Sequence, residues 1–256
     1  MDITNRYVLD YICRFASSHA GARILDFGCG GGQVVAAGRG DGIELYGVDV
    51  FYGGSHARRE AAGAGLLGQA VLEMERNRIP FPDGFFDLIT NNQVLEHVDD
   101  LDRTLAELHR VLKPRGLVLS IFPSRDVFRE GHIGIPFAHW FPKDSRIRFR
   151  YTWALRCLGF GYWKQEAPSA RQWAVDKLRW LDAYTRYRPR REIFSAFNKY
   201  FTSESREADY IRYRMRATPG LGPLAWTAAA PLIGPFGVAV FRKLAFLVLL
   251  SRKEPR

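Results

Sequence analysis

A short glycine-rich loop between two predicted strands is the first feature that could do chemistry. Residues 28–32 read Gly-Cys-Gly-Gly-Gly, and they follow Asp26 at the end of an apolar run. Glycine lets the backbone turn with positive φ and approach a ligand with no Cβ in the way. A second apolar run, 44–49, ends in Asp49, an acid placed to accept hydrogen bonds from both hydroxyls of a ribose. We therefore expect a ribose-containing ligand where the first two strands end.

The spacing of this loop argues against a dinucleotide cofactor. The dinucleotide fingerprint requires a third glycine at position 33, where this chain has Gln33. A tight strand-to-helix turn without any ligand is the structural alternative for the same glycines.

Imidazole groups are the second feature, because the pKa of histidine suits a general base near neutral pH. His132 and His139 lie in the segment 130–140, which also holds two glycines, and His97 follows the predicted fourth strand. We consider all three as catalytic candidates, with His132 first. The structural alternatives are that His97 orients its loop and that His132 belongs to a packed loop. The spacing of the chain predicts no metal site.

Strands and helices that alternate along the first half of the chain would position these groups. Short apolar runs at 22–27, 44–49, 71–74, 86–90 and 117–122 read as strands. Helical periodicity at 4–18 and from Leu101 to Leu112 separates some of them. The pattern predicts an α/β fold with a doubly wound, mostly parallel sheet.

Four motifs in the same order resemble those of class I S-adenosylmethionine (SAM)-dependent methyltransferases of the small-molecule, type 11-like family. They are the loop Asp-x-Gly-x-Gly-x-Gly at 26–32, Ile-Pro-Phe-Pro-Asp-Gly-Phe-Phe-Asp at 79–87, Val-Leu-Glu-His-Val at 94–98, and Leu-His-Arg-Val-Leu-Lys-Pro-Arg-Gly at 108–116. Arg115 replaces one glycine of the last motif. The resemblance covers about 100 residues and implies a seven-stranded Rossmann-like sheet.

The resemblance also implies which residues bind SAM. The ribose is expected at Asp49, and the sulfonium beside Asn91 at the end of the fourth strand. The residues expected to contact the methionyl part are Asp26, Gly28, Cys29 and Gly30, and those expected to contact the adenine are Val50 and Glu75.

The net charge of +10 comes from one part of the chain. Residues 143–216 hold 18 Lys or Arg against 8 Asp or Glu, and 16 of the 35 aromatic residues. Such a block suggests an anionic partner, although helices with solvated Arg faces would give the same composition. We divide the chain into a SAM-binding core at 1–163, a basic, aromatic-rich helical insertion with an apolar Pro/Gly segment at 164–241, and a closing strand with the C-terminus at 242–256.

The apolar Pro/Gly segment raises the question of a membrane. Residues 217–241 contain no charge, but four prolines and four glycines make one continuous spanning helix improbable. Burial against the protein or a dimer partner is the first interpretation, and peripheral contact with an anionic membrane is the second. Three widely spaced cysteines and a start without a basic or apolar leader favour a cytoplasmic location. The oligomeric state is left open.

Three functions are compatible with the sequence. The first is O-methylation of a small-molecule, lipid-linked or glycan-precursor acceptor. The second is RNA methylation, in which the basic segment contacts the nucleic acid, although no appended RNA-binding fold is apparent. The third is a SAM-binding partner protein that does not catalyse.

Overall fold

The computed structural model describes residues 1–52, 55–75, 78–224 and 233–255. Within this part of the chain, seven strands form one sheet in the order β3-β2-β1-β4-β5-β7-β6. The first five strands run parallel, and β7 lies antiparallel between β5 and β6. The strands are β1 Arg23–Phe27, β2 Glu44–Asp49, β3 Val71–Glu73, β4 Phe86–Asn92, β5 Leu112–Phe122, β6 Thr202–Ser205 and β7 Leu247–Arg252.

Helices cover both faces of this sheet, as a doubly wound fold requires. The core on one face includes apolar side chains of α4 and α7, and the core on the other includes those of α1, α2, α3 and α8. The described helices are α1 Ile3–Ser18, α2 Gln33–Gly40, α3 Ala57–Gly63, α4 Leu101–Val111, α5 Arg146–Cys157, α6 Ala170–Tyr184, α7 Arg190–Phe197, α8 Glu207–Ala217 and α9 Ile233–Leu244. The predicted fold class is confirmed.

The strands form where they do because they are buried on both faces. The last four residues of β1 are all buried, and so are the first five residues of β7. Parallel strands covered by helices on both sides consist of continuous apolar runs, and these runs are what predicted the strands from the sequence.

A third apolar core lies apart from the sheet. It joins the segment after β5 to α5 and α6, and the fully buried Trp173 is its largest side chain. We call residues 124–187 the cap. The cap starts upstream of residue 164, where the sequence placed the beginning of the insertion, and the division at 163 stays a prediction.

The insertion is not entirely helical. Residues 202–205 form the edge strand β6, which pairs with β7. No sequence pattern predicted this strand, because Thr-Ser-Glu-Ser is short, polar and mostly exposed. The closing strand begins at Leu247, whereas Leu244 is the last residue of α9.

The apolar Pro/Gly segment is described only in part. Its start follows α8 and its end lies in α9, while residues 225–232 are outside the described residues. In the described part of the chain, no helix combines the length and the apolar character needed to cross a bilayer.

Candidate active site

The glycine loop lies between β1 and α2, at the carboxyl end of the parallel strands. Gly28 and Cys29 both donate their backbone N–H to the carbonyl of Val48 at the end of β2, at 2.7 and 3.1 Å. Gly28, Gly30 and Gly32 all have positive φ, which glycine adopts without strain. The loop is therefore fixed by the neighbouring strand and not by its own side chains.

Asp49 holds the same loop from the end of β2. Its Oδ2 accepts the backbone N–H of Gly30 at 2.8 Å, and its Oδ1 accepts that of Phe51 at 2.9 Å. The carboxylate is half-buried. It therefore lies beside the loop at the edge where ligands bind to open α/β sheets.

The glycines of the loop differ in how much free space lies beside them. A Cβ added to Gly28 would come within 2.3 Å of Val94, so protein already fills the space beside this glycine. At Gly30, with φ of +52°, nothing lies within 4 Å of the same position. Cys29 Sγ packs against Gly47, where an added Cβ would approach it to 2.6 Å. Gly30 is thus the glycine that opens onto free space.

Asp26 lies beneath the loop and is 5% exposed. The hydroxyl of Thr90 donates to its Oδ1 at 3.1 Å. Burial raises the pKa of Asp26 to about 7, although the hydrogen bond from Thr90 opposes this change. A positively charged group of a ligand would favour the ionised form of this carboxyl group.

The other three predicted cofactor positions differ in their surroundings. Val50 is half exposed and Glu75 is exposed, so both are open to a ligand at the surface. Asn91 is fully buried at the end of β4, where its Nδ2 donates to Ser120 Oγ at 2.9 Å and its Oδ1 has no partner. Asn91 is therefore held within the sheet, and only its orphaned oxygen is free for a further contact.

Two of the three candidate histidines face each other. His97 and His132 are separated by 3.3 Å between their Nε2 atoms. His97 Nδ1 donates to the carbonyl of Tyr184 at 2.7 Å, because a carbonyl can only accept. His132 Nδ1 donates to Glu130 Oε1 at 2.8 Å. In their neutral forms, both rings therefore direct an Nε2 lone pair at the other.

Glu130 fixes the ring of His132. The carboxyl is fully buried, and it also accepts the hydroxyl of Tyr187 and the backbone N–H of Ile133. Burial lowers the pKa of His132, but the hydrogen bond and charge of Glu130 outweigh it, so the pKa lies above its ordinary value. Burial lowers the pKa of His97, and its bond to Tyr184 only partly offsets this.

Glu96 completes the cluster. It is 1% exposed, and neither carboxyl oxygen has a partner. The donor atoms of Glu96, His97 and His132 lie within 4.8 Å of one another, so this group could hold a metal ion by distance. Burial raises the pKa of Glu96 to about 8. The sequence predicted no metal site, whereas the structure brings together two imidazoles and one carboxyl group, a donor set that also occurs in metal sites.

His139 stays outside the facing pair. Its Nε2 donates to the carbonyl of Arg125 at 3.1 Å, and its ring packs 4.7 Å from that of Tyr187. Burial lowers its pKa. Among the predicted catalytic histidines, the structure thus joins His97 with His132 and leaves His139 behind Tyr187.

Arg188, directly after the cap, holds the loop that carries Glu96 and His97. The guanidinium of Arg188 donates to the carbonyls of Leu95, Val98 and Asp99 at 2.8 to 3.2 Å. Tyr184 connects this region to the end of β2, since its ring lies 5.2 Å from that of Tyr52. The facing histidines are therefore held next to the glycine-loop edge of the sheet.

Sequence reasoning missed four members of this site. Glu96 was visible as part of a motif, and Glu130 was visible as Glu-x-His, but neither spacing showed that the carboxyl would be buried. Tyr184 is the last residue of α6 and Tyr187 follows it, and no local pattern links them to His97 and Glu130, which lie 87 and 57 positions upstream.

Comparison with known proteins finds similarity over the part of the chain that holds the glycine loop and β4. The sequence profile of the family described as "Methyltransferase domain" matches residues 25–120. A malonyl-[acyl-carrier protein] O-methyltransferase of Serratia marcescens is 33% identical over 116 residues, which are 44% of this chain and 43% of that protein. A demethylmenaquinone methyltransferase of Symbiobacterium thermophilum is 32% identical over 155 residues, 54% of this chain and 61% of that protein. The chain thus spans about half the length of these relatives.

A solved structure agrees over the whole fold. The structure of a SAM-dependent methyltransferase from Mesorhizobium loti covers 96% of this chain and 100% of its own, with a TM-score of 0.55 and 19% identity. At this identity the similarity establishes the fold. Residues 25–120 thus match the family of methyltransferase domains, and the cofactor of the SAM-dependent family to which they are similar is SAM.

Proposed function

We propose that the chain transfers the methyl group of SAM to a hydroxyl group of a small amphiphilic or lipid-linked acceptor. The observation that carries this proposal is the pair of Nε2 lone pairs on His97 and His132, 3.3 Å apart. In their neutral forms, either Nε2 can accept the one proton of a hydroxyl group that approaches the pair from the side. The proposal thus rests on the chemistry of the pair and not on family resemblance alone.

The cofactor is assigned to the glycine-loop edge. Asp49 is placed to accept the ribose hydroxyls, and Gly30 leaves the open space beside which the methionyl part passes. Asp26 lies beneath this part, Gly28 and Cys29 fix the loop, and Val50 and Glu75 border the adenine. When bound, SAM supplies a methyl group on a positively charged sulfonium.

His132 would accept the proton that the acceptor hydroxyl loses, at Nε2, and its ring would become an imidazolium. Glu130 would stabilise this cation through Nδ1, and Nε2 of His97 would then accept the new Nε2–H of His132. Most of the acceleration comes from holding the two reactants in line, and proton transfer adds to it.

The acceptor class follows from the space beside His132. A cavity of about 550 Å³ is lined by His132, Ile133, Tyr162, Trp163 and Trp180, and its walls are predominantly apolar. The related proteins are named for malonyl-[acyl-carrier protein] and demethylmenaquinone, a carrier-bound acid and a lipid quinone. An acceptor with an apolar body fits this cavity, including a lipid-linked glycan precursor.

The test is a transfer assay with methyl-labelled SAM and the whole chain. The acceptors are quinols, lipid extracts, glycan-lipid precursors and RNA, with hydrolysis of SAM followed in parallel. Label in an ether-linked methyl group of an organic-soluble acceptor supports the proposal. Label in RNA would establish the second function, and SAM binding without any transfer would leave a partner protein that does not catalyse.

A further inference from the structure

A loop in the cap exposes an unusual run of large apolar side chains. It follows α5 and reads Leu-Gly-Phe-Gly-Tyr-Trp at 158–163, and we call it the aromatic loop. Leu158 is 74% exposed, Trp163 57% and Phe160 45%. Burying such side chains away from water is favourable, so leaving several of them adjacent in solvent indicates that something covers them.

The aromatic loop is built to present these side chains. The N–H of Tyr162 donates to the carbonyl of Ile133 at 3.0 Å, and the indole N–H of Trp173 donates to the carbonyl of Tyr162 at 2.9 Å. Gly161 has a φ of +95° and lies so close to the ring of Trp173 that an added Cβ would come within 2.6 Å. The backbone is therefore anchored to the cap core while the side chains of Leu158 and Phe160 face solvent.

The chain around the loop carries an excess of positive charge. From residue 145 to residue 165 it contains five basic residues and no acidic residue, although Glu166 follows directly and pairs with Lys177. Arg146 and Arg150 are exposed on α5, and the guanidinium of Arg129 lies 4.8 Å from the ring centre of Tyr162. Exposed apolar side chains with cations in the same region match the surface of an anionic bilayer, in which the apolar groups enter the acyl boundary and the cations meet the headgroups.

The aromatic loop lies next to the cavity beside His132. Tyr162 and Trp163 also line the cavity beside His132. A surface that covered the aromatic loop would therefore lie at the mouth of that cavity. We infer that the aromatic loop docks the protein on anionic bilayers and that the acceptor is an amphiphile which enters the cavity from the membrane. Only the statement about the acceptor rests on the proposed function.

The experiment is co-sedimentation of the full chain with vesicles of phosphatidylcholine, alone or mixed with phosphatidylglycerol, at low and high salt. The test variant is Leu158→Ser with Phe160→Ser, two residues outside the cavity wall and the histidine cluster. A matched variant, Phe236→Ser with Leu244→Ser, changes two equally exposed apolar residues on α9. Arg146→Gln with Arg150→Gln tests the charge.

We expect binding that requires phosphatidylglycerol and weakens as salt rises. The Leu158/Phe160 variant should lose about tenfold in affinity for each side chain removed, and the arginine variant should lose affinity mainly at low salt. The α9 variant should bind like the unchanged protein. SAM affinity, measured without vesicles, should be the same in all of them.

Three results would overturn the inference. They are the absence of vesicle binding, a Leu158/Phe160 variant that still binds normally, and a dimer in light scattering that this variant converts to a monomer. The last would show that a second copy covers the loop. Because sedimentation needs neither SAM nor acceptor, failure here leaves the proposed methyl transfer intact, and failure of methyl transfer leaves vesicle binding intact.

Discussion

His97 Nε2 and His132 Nε2 lie 3.3 Å apart, although the two residues belong to loops after different strands. Each ring has already committed Nδ1 as a donor, His97 to Tyr184 and His132 to Glu130. With both rings neutral, the pair lacks a hydrogen between its nitrogens. In the proposed function, an incoming hydroxyl group donates its proton to one of these nitrogens, and the same contact positions the acceptor oxygen beside its base.

Replacement of His132 tests the base directly. His132→Ala should lower turnover by about 10²- to 10⁴-fold while SAM affinity stays near normal, since the glycine loop is untouched. His139→Gln is the matched control, because His139 lies behind Tyr187, and it should retain most activity. Single-turnover rates with saturating SAM measure both. If His132→Ala keeps most of its rate, the base is another group or none is needed.

The pH dependence of kcat/KM tests the role of Glu130. The base must be neutral, and its pKa lies above the ordinary histidine value, so activity should rise with pH through a limb above about 6.5. Glu130→Gln removes the charge that favours the imidazolium, which should move this limb to lower pH and lower the maximal rate. A limb at the same pH in both proteins would separate Glu130 from the titrating group.

The contact that holds the 95–99 loop can be removed at Arg188. Arg188→Met removes three hydrogen bonds to the backbone carbonyls of this loop and keeps the aliphatic length. Because the loop carries His97, we expect kcat to fall about tenfold or more with little change in SAM affinity. Arg191→Met, on the exposed surface of α7, is the matched control. Equal kcat values for the two variants would show that this contact does not position the site.

Asp26 predicts a pH dependence of stability in the protein without SAM. Its pKa is about 7 in the folded chain and near 4 when unfolded. The unfolded state therefore gains by ionising first, and the contribution of Asp26 to stability is complete below pH 4 and lost as pH rises through 7. Asp26→Asn should remove a decline of a few kcal/mol between these values, on the order of 1.4 kcal/mol per pKa unit.

Urea unfolding at several pH values measures this decline. Thr90→Val should leave it in place or enlarge it, because the hydrogen bond from Thr90 is what favours the ionised form. Parallel stability curves for the unchanged protein and Asp26→Asn would contradict the assignment.

The sequence predicted the sheet well because its strands are buried on both faces and therefore form continuous apolar runs. β2 was predicted at its observed bounds, and the glycine loop was placed correctly between β1 and α2. The edge strand β6 was missed, because four polar residues at a sheet edge carry no such signal.

The histidine cluster shows the opposite case. Both histidines were candidates from the sequence, but their proximity depends on how the cap packs over the sheet. The guanidinium of Arg188 donates to backbone carbonyls of the 95–99 loop, and the backbone carbonyl of Tyr184 accepts from His97. Contacts through the backbone do not require a particular residue type. The sequence therefore predicted the histidines as candidates but did not predict that His97 and His132 lie together.

The central claim is that SAM binds at the glycine-loop edge with its ribose on Asp49. Isothermal titration calorimetry of SAM tests it most directly, with Asp49→Ala and Gly30→Val as the variants and Glu44→Ala, at the other end of β2, as the control. Asp49→Ala should weaken SAM binding roughly 10- to 150-fold, and Gly30→Val should weaken it more, because its side chain would enter the open space. Glu44→Ala should bind SAM normally. Unchanged affinity in both folded variants would contradict the account.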